Sequence, residues 1–171
     1  MKMIDLSKTI KNGMDVYPGD PEVKVKVIHT HEKNSWLLRE LTLGTHTGTH
    51  VDAPSHMDPD GKTLDDIPLT SFSGTSRVVK PRPPFPEHTG LFFLEEADMD
   101  ILDDVIGAEP PFVGGNMTLE LQRGLLKEGV VTYTDLVNLH LIPLNRNFTF
   151  VGFPLKIAEG DGSPVRCVAL L

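Results

Sequence analysis

Apolar positions in this chain mostly alternate with polar ones over short stretches, and fall into helical spacing in two places. Residues 3–6 read as a short first strand, followed by a loop rich in turn formers at Pro18, Gly19 and Pro21. Val23, Val25 and Val27 alternate with Lys24 and Lys26, the pattern of a strand with one wet face. Residues 36–43 (WLLRELTL) predict a second such strand, which leads through Gly44 into a polar stretch. A turn and a short helical piece are expected over 62–72, and a strand over 75–80. Four prolines between Pro81 and Pro86 exclude regular structure there. From Glu95 to Ile106 the apolar residues Ala97, Ile101, Leu102, Val105 and Ile106 follow a helical period. Phe112–Gly114 is a buried strand candidate. Thr118 and Gly129 frame a second helix over 119–128 as N-cap and C-cap. Val130–Thr134, Thr149–Leu155 and Val165–Leu170 complete the strands. Strand-rich ends around two main helices make an α+β or mixed α/β domain.

Composition narrows the class. The 171 residues suit one domain spanning 1–171, and contain neither repeat nor linker. A formal net charge of −8, without any basic run, argues against nucleic acid or an anionic membrane surface as partner. No apolar run reaches the ~18 residues of a membrane span. The start, Met-Lys-Met-Ile-Asp, places an acid where a signal peptide needs its apolar core. The lone Cys167 excludes an internal disulfide and reads as a small buried residue of the last strand. A cytoplasmic protein is expected.

The chemistry concentrates in residues 46–56, HTGTHVDAPSH, where three histidines and a carboxylate stand at even spacings. Imidazole and carboxylate are common ligands of zinc and similar divalent ions. A helix would align His46 with His50 but turn Asp52 about 200° away from His50 at about 100° per residue. Thr47, Gly48, Thr49 and Pro54 also disfavour a helix. Extended backbone puts His46, His50, Asp52 and His56 on one face. A straight strand would hold His46 and His50 roughly 13 Å apart at about 3.3 Å per residue, so the chain must bend, and Gly48 permits it. His56 lies beyond Pro54, after the chain has turned, and is a candidate for proton transfer rather than a fourth ligand. Its ordinary pKa of ~6.5 suits that work. His29, His31 and His88 read as surface or turn histidines. No GxSxG elbow, P-loop or CxxC offers a rival chemistry.

The motif resembles the signature of the metal-dependent cyclase superfamily, which includes bacterial kynurenine formamidase and isatin hydrolase. Ile4-Asp-Leu-Ser7, Val16-Tyr-Pro-Gly-Asp-Pro21, Gly61–Pro68, Phe150–Lys156 and Gly160–Arg166 extend the resemblance over most of the chain. It implies a swivelling β/β/α fold assembled as a homodimer or homotetramer. It implies metal ligation at His46, His50 and Asp52, acid–base work at His56, and a small-molecule substrate. Tyr17 matches an early aromatic position that packs against substrate in the family; it reads equally as a turn aromatic covering the core. Thr49 could orient a ligand or serve as a plain strand residue. The loop Gly160-Asp-Gly-Ser-Pro is a turn by composition, and the resemblance puts it near the site.

Two departures stand out. In two-metal relatives a histidine and, twelve residues later, a glutamate complete a second site; Gln122 and Thr134 occupy those positions here. One divalent ion is therefore expected, zinc or manganese, rather than two. The region 81–116 is also shorter and richer in proline than the family norm. The resulting expectation is a metal-dependent hydrolase of a small amide or cyclic amide. Its rival is a catalytically degenerate relative serving as a binding or structural subunit, although His56, which the fold does not need, is intact.

Overall fold

A computed structural model describes residues 2–171. In chain order its elements are β1 (Met3–Asp5), β2 (Lys24–His29), α1 (His31–Asn34), β3 (Leu38–Thr42), β4 (His50–Asp52), β5 (Ser73–Val79), β6 (Gly90–Ala97), α2 (Leu102–Gly107), β7 (Phe112–Met117), α3 (Leu119–Lys127), β8 (Val131–Thr134), β9 (Asn147–Val151), β10 (Gly162–Pro164) and β11 (Val168–Leu170). Short 3₁₀ turns at Pro54–His56, Leu64–Asp66 and Leu69–Phe72 link β4 to β5. Among the described residues no helix is long and apolar enough to cross a membrane.

One sheet organises the protein, in the order β1-β11-β9-β5-β6-β7-β8-β4-β10. Its centre, β5-β6-β7-β8, is parallel, and the strands on both flanks are antiparallel. Parallel strands are buried on both faces, and β6 follows that rule. Leu91 and Phe93 face a cluster with Val105, Leu121 and Leu125 of α2 and α3. Phe92 points the other way, among Phe112, Tyr133, Phe148 and Phe150, with rings 4.8–6.0 Å apart in tilted and edge-on contacts. The result is a strand-rich, mixed α/β architecture, as the sequence predicts.

Three expectations need correction. The helix expected from Glu95 starts later, with a 3₁₀ turn at Met99–Ile101 and α2 from Leu102, because 90–97 is the buried strand β6. A continuous apolar run such as Leu91–Leu94 carries no period that distinguishes strand from helix. The Gly160–Pro164 stretch, expected as a turn, contributes β10. β2 and β3 pair into a separate two-stranded ribbon whose drier face is only partly covered: Val25 and His29 are half-buried, while Val27 and all of β3 are exposed. α3 forms where expected, with Thr118 Oγ1 accepting from Leu121 N at 3.3 Å and Gly129 following at φ +82°.

Candidate functional site

Strand β4 lies between β8 and β10, and its register composes the site. Asp52 stands opposite Thr132 on one side and Gly162 on the other, and His50 stands opposite Thr134 and Pro164. Because alternate residues share a face, His50 and Asp52 point the same way. Only 50–52 of the motif is strand; His46 reaches the same place from a turn, and His56 ends the 3₁₀ turn that follows Ala53. The bend falls at Gly48, with φ +61°, a left-handed conformation in which a Cβ would meet Met14 at 3.3 Å.

The four motif side chains come together. Asp52, 1% exposed, has Oδ1 2.8 Å from His46 Nδ1 and 3.2 Å from His50 Nε2. The His46 and His56 rings stack with centroids 3.8 Å apart. His46, Asp52 and His56 each present a donor atom within 4.8 Å of the others. A residue not among the sequence candidates joins them: Asp161, with Oδ2 2.9 Å from His46 Nε2 and 3.7 Å from His56 Nδ1. Composition marks it only as a turn, 115 positions from His46, and the family resemblance alone puts its loop near the site. Gly162 beside it leaves room for the His46 ring, since a Cβ there would lie 2.3 Å from His46 Cε1.

Proton accounting tests whether these residues fit a cation. His50 Nδ1 lies 2.7 Å from Gly48 O, a pure acceptor, so Nδ1 carries the ring proton. Nε2 then turns a lone pair towards Asp52 Oδ1 at 3.2 Å, with the Thr134 hydroxyl 2.9 Å away as its only neutral donor among the described residues, so that lone pair and carboxylate face the same point. His46 has a carboxylate oxygen at each nitrogen but only one proton when neutral. Two imidazoles and a buried carboxylate arranged in this way fit a divalent ion.

Electrostatics agrees. Burial opposes the His46 imidazolium, but the hydrogen bonds and charges of Asp52 and Asp161 outweigh it and raise its pKa. Burial likewise works against the Asp52 carboxylate, yet His46 and His50 hold it far below the usual range. The same contest, against burial, lowers Asp161 through His46. His56 is lowered, first by burial and then by the charge of the neighbouring His46.

Two other sequence candidates lie elsewhere. Tyr17 is 71% exposed, and no hydrogen bond or aromatic contact among the described residues joins it to the histidines. Thr49 serves structure: its hydroxyl accepts from Lys8 N at 2.9 Å and donates to Asp135 O at 2.6 Å. Gln122 and Thr134 are at the site, where Gln122 Nε2 donates to Asp52 Oδ2 at 2.7 Å and Thr134 Oγ1 lies 2.9 Å from His50 Nε2.

The Cyclase family model matches residues 4–108, which contain all four motif residues. The chain belongs to the cyclase family. A kynurenine formamidase of Salinibacter ruber is 31% identical over 207 aligned positions, covering 98% of this chain and 97% of that protein. The kynurenine formamidase of Bacillus anthracis is 25% identical over 203 positions, covering 98% and 96%. Both alignments are longer than 171 residues, so this member of the family is trimmed relative to those enzymes. In fold it is similar to isatin hydrolase A from Labrenzia aggregata, solved with benzyl benzoate, at a TM-score of 0.84 and 20% identity over 98% of this chain and 93% of that one.

Proposed function

We propose that this protein is a metal-dependent hydrolase of a small amide or cyclic amide, acting on a carbon–nitrogen bond other than a peptide bond. The observation that carries the reading is the buried Asp52 carboxylate facing His46 and His50, a convergence of one negative charge and two imidazoles that suits a divalent cation. The family relatives named kynurenine formamidase and isatin hydrolase support the substrate class.

His46, His50 and Asp52 would hold one divalent ion, zinc or manganese. When bound, such an ion supplies Lewis acidity, acidifying water and polarising a carbonyl. The Gly48 carbonyl fixes the His50 tautomer so that Nε2 is free to ligate. His56 is exposed at the mouth and has a lowered pKa, so it stands neutral at pH 7 and ready to accept a proton. Its Nδ1 faces Asp161, which leaves Nε2 to take the proton and return it to the leaving nitrogen. Tyr17 is proposed as a substrate contact on the motif resemblance alone.

A homodimer or homotetramer belongs to the same proposal. The β2–β3 ribbon and its connection expose Val27, Ile28, Trp36, Leu37, Leu38 and Leu41. A lone hairpin is marginal in water, and so large an apolar surface calls for a partner, here a second copy. A cytoplasmic location is consistent with the buried, unpaired Cys167.

Hydrolysis of an N-formyl aryl amide and of isatin, with the metal content measured on the same sample, tests the reading. His56→Ala should keep the ion and the fold but lose about 10²–10⁴-fold in rate. His50→Ala should lose ion and activity together. Metal-loaded wild type that turns over no formyl amide, lactam or lactone would favour the binding-subunit alternative.

A further inference from the structure

The second oxygen of Asp52 carries information that the first does not. Oδ2 accepts from Gln122 Nε2 at 2.7 Å and from Thr132 Oγ1 at 2.9 Å, and the amide nitrogen is itself 3.3 Å from that hydroxyl. A carboxylate offers acceptors only, so Gln122 must present its NH₂ group to it. Both partners are held in place. Gln122 sits in α3 next to Leu121, which is fully buried, and Thr132 faces Asp52 across the β4–β8 register. Asp52 is thus divided: Oδ1 faces the imidazoles of His46 and His50, and Oδ2 faces the neutral donors of Gln122 and Thr132.

A cation approaching Oδ2 would meet N–H and O–H hydrogens instead of lone pairs. One pair further along, Thr134 supplies a hydroxyl to His50 rather than a charge. The nearest other carboxylates and imidazoles in the sequence are engaged or exposed elsewhere. Asp135 pairs with Lys8 Nζ at 2.8 Å, and Glu159 and His140 are exposed.

We infer that Gln122 is a positioning residue that makes Asp52 a one-sided ligand, so that the site takes a single divalent ion on its Oδ1 side. The inference rests on the metal-dependent reading above, and adds that the amide of Gln122 stands in for a second cation. Freed of Gln122, Oδ2 could rotate towards the ion, changing Asp52 from one-oxygen to two-oxygen coordination or weakening its hold.

Cobalt(II) is the probe, because its visible absorption reports coordination without any need for turnover. Full-length metal-free protein would be titrated with Co²⁺, following stoichiometry by elemental analysis and geometry by the visible band. Wild type should bind one Co²⁺ per chain. Gln122→Met, similar in length but without a donor, should still bind one, with a shifted visible band and about 10–100-fold weaker affinity, the usual effect of losing a residue that orients a ligand. Two tightly held ions in wild type would overturn the inference, as would an unchanged band and affinity in Gln122→Met. Should the Met variant fail to fold, Gln122→Glu decides: a carboxylate against Oδ2 should recruit a second, weaker Co²⁺, and a stoichiometry fixed at one would overturn the proposal. Wild type that takes up no Co²⁺ at all would defeat the metal-dependent reading itself, an outcome distinguishable from failure of the Gln122 inference alone.

Discussion

Two strand regions of this molecule, β4 and the β2–β3 ribbon, both mix polar and apolar residues and end in opposite states. β4 lies inside the nine-stranded sheet, between β8 and β10, with Val51 and Asp52 buried. β2 and β3 pair only with each other and leave Trp36, Leu38 and Leu41 about half exposed. Polarity does not decide between them, since β4 carries His50 and Asp52 and the ribbon carries valines and leucines. Neighbours decide. A polar side chain can be buried where strands on both sides bring it donors, and an apolar one stays wet where nothing covers it. The first region is finished within one chain, and the second is left uncovered by the rest of it.

The largest expected effect falls on the finished region. Asp52→Ala would leave Gln122, Thr132 and His46 without their buried acceptor. The loss expected in the ion-free protein is about 3–5 kcal/mol, or roughly 10 °C in melting midpoint. A chemical-denaturation curve within about 1 kcal/mol of wild type would show that the network contributes little. Gly162→Ala comes next. Its Cβ would lie 2.3 Å from His46 Cε1, so the ring must shift, at a cost of about 1–3 kcal/mol together with weakened ion binding. Unchanged ion affinity in that variant would mean that His46 tolerates displacement and is not a fixed ligand.

A pH series gives a smaller and signed effect. The raised pKa of His46 means that its stabilising contribution is full below about 6.5, the unfolded value, and is lost as pH rises through the folded one. His56, lowered, acts in the opposite sense: its contribution is present above about 6.5 and lost as pH falls. Removing that opposing term with His56→Ala should leave an ion-free protein whose melting midpoint declines from pH 6 to pH 9. Ion affinity should rise over the same range, because ligation requires His46 to release a proton. A midpoint that climbs with pH in the ion-free variant would contradict the charge assignment. The smallest effect on folding belongs to the ribbon. Leu41→Lys should change the stability of the main sheet by no more than about 0.5 kcal/mol while shifting the sedimentation profile towards monomer. An unaltered assembly, or a protein monomeric from the start, would remove the ribbon as an interface.

The contrast also explains what was legible in the sequence. His46, His50, Asp52 and His56 share eleven residues, so their even spacing and the turn at Pro54 already indicated that they could meet. No local pattern reveals Asp161, because its proximity depends on β10 pairing with β4; only the family resemblance puts its loop near the site. Thr132 was hidden for the same reason, reading as an ordinary strand threonine until the β8 register set it against Asp52. β6 escaped because its apolar run is continuous and the helical period beyond it is genuine. The ribbon reads as two strands, but alternation states that two faces differ and not how fully either is covered.

The pairing of β4 with β10 also has a consequence in time. His46 and Asp161 are 115 positions apart, and Asp161 lies only ten residues from the last residue of the chain as given. Contacts of such separation form late, because the intervening chain must be ordered before they can close. A chain still being synthesised would carry its histidines long before it has the wall that holds them. The wall that Asp161 supplies is therefore a late addition to a cluster, His46, His50 and Asp52, that is already local in the chain.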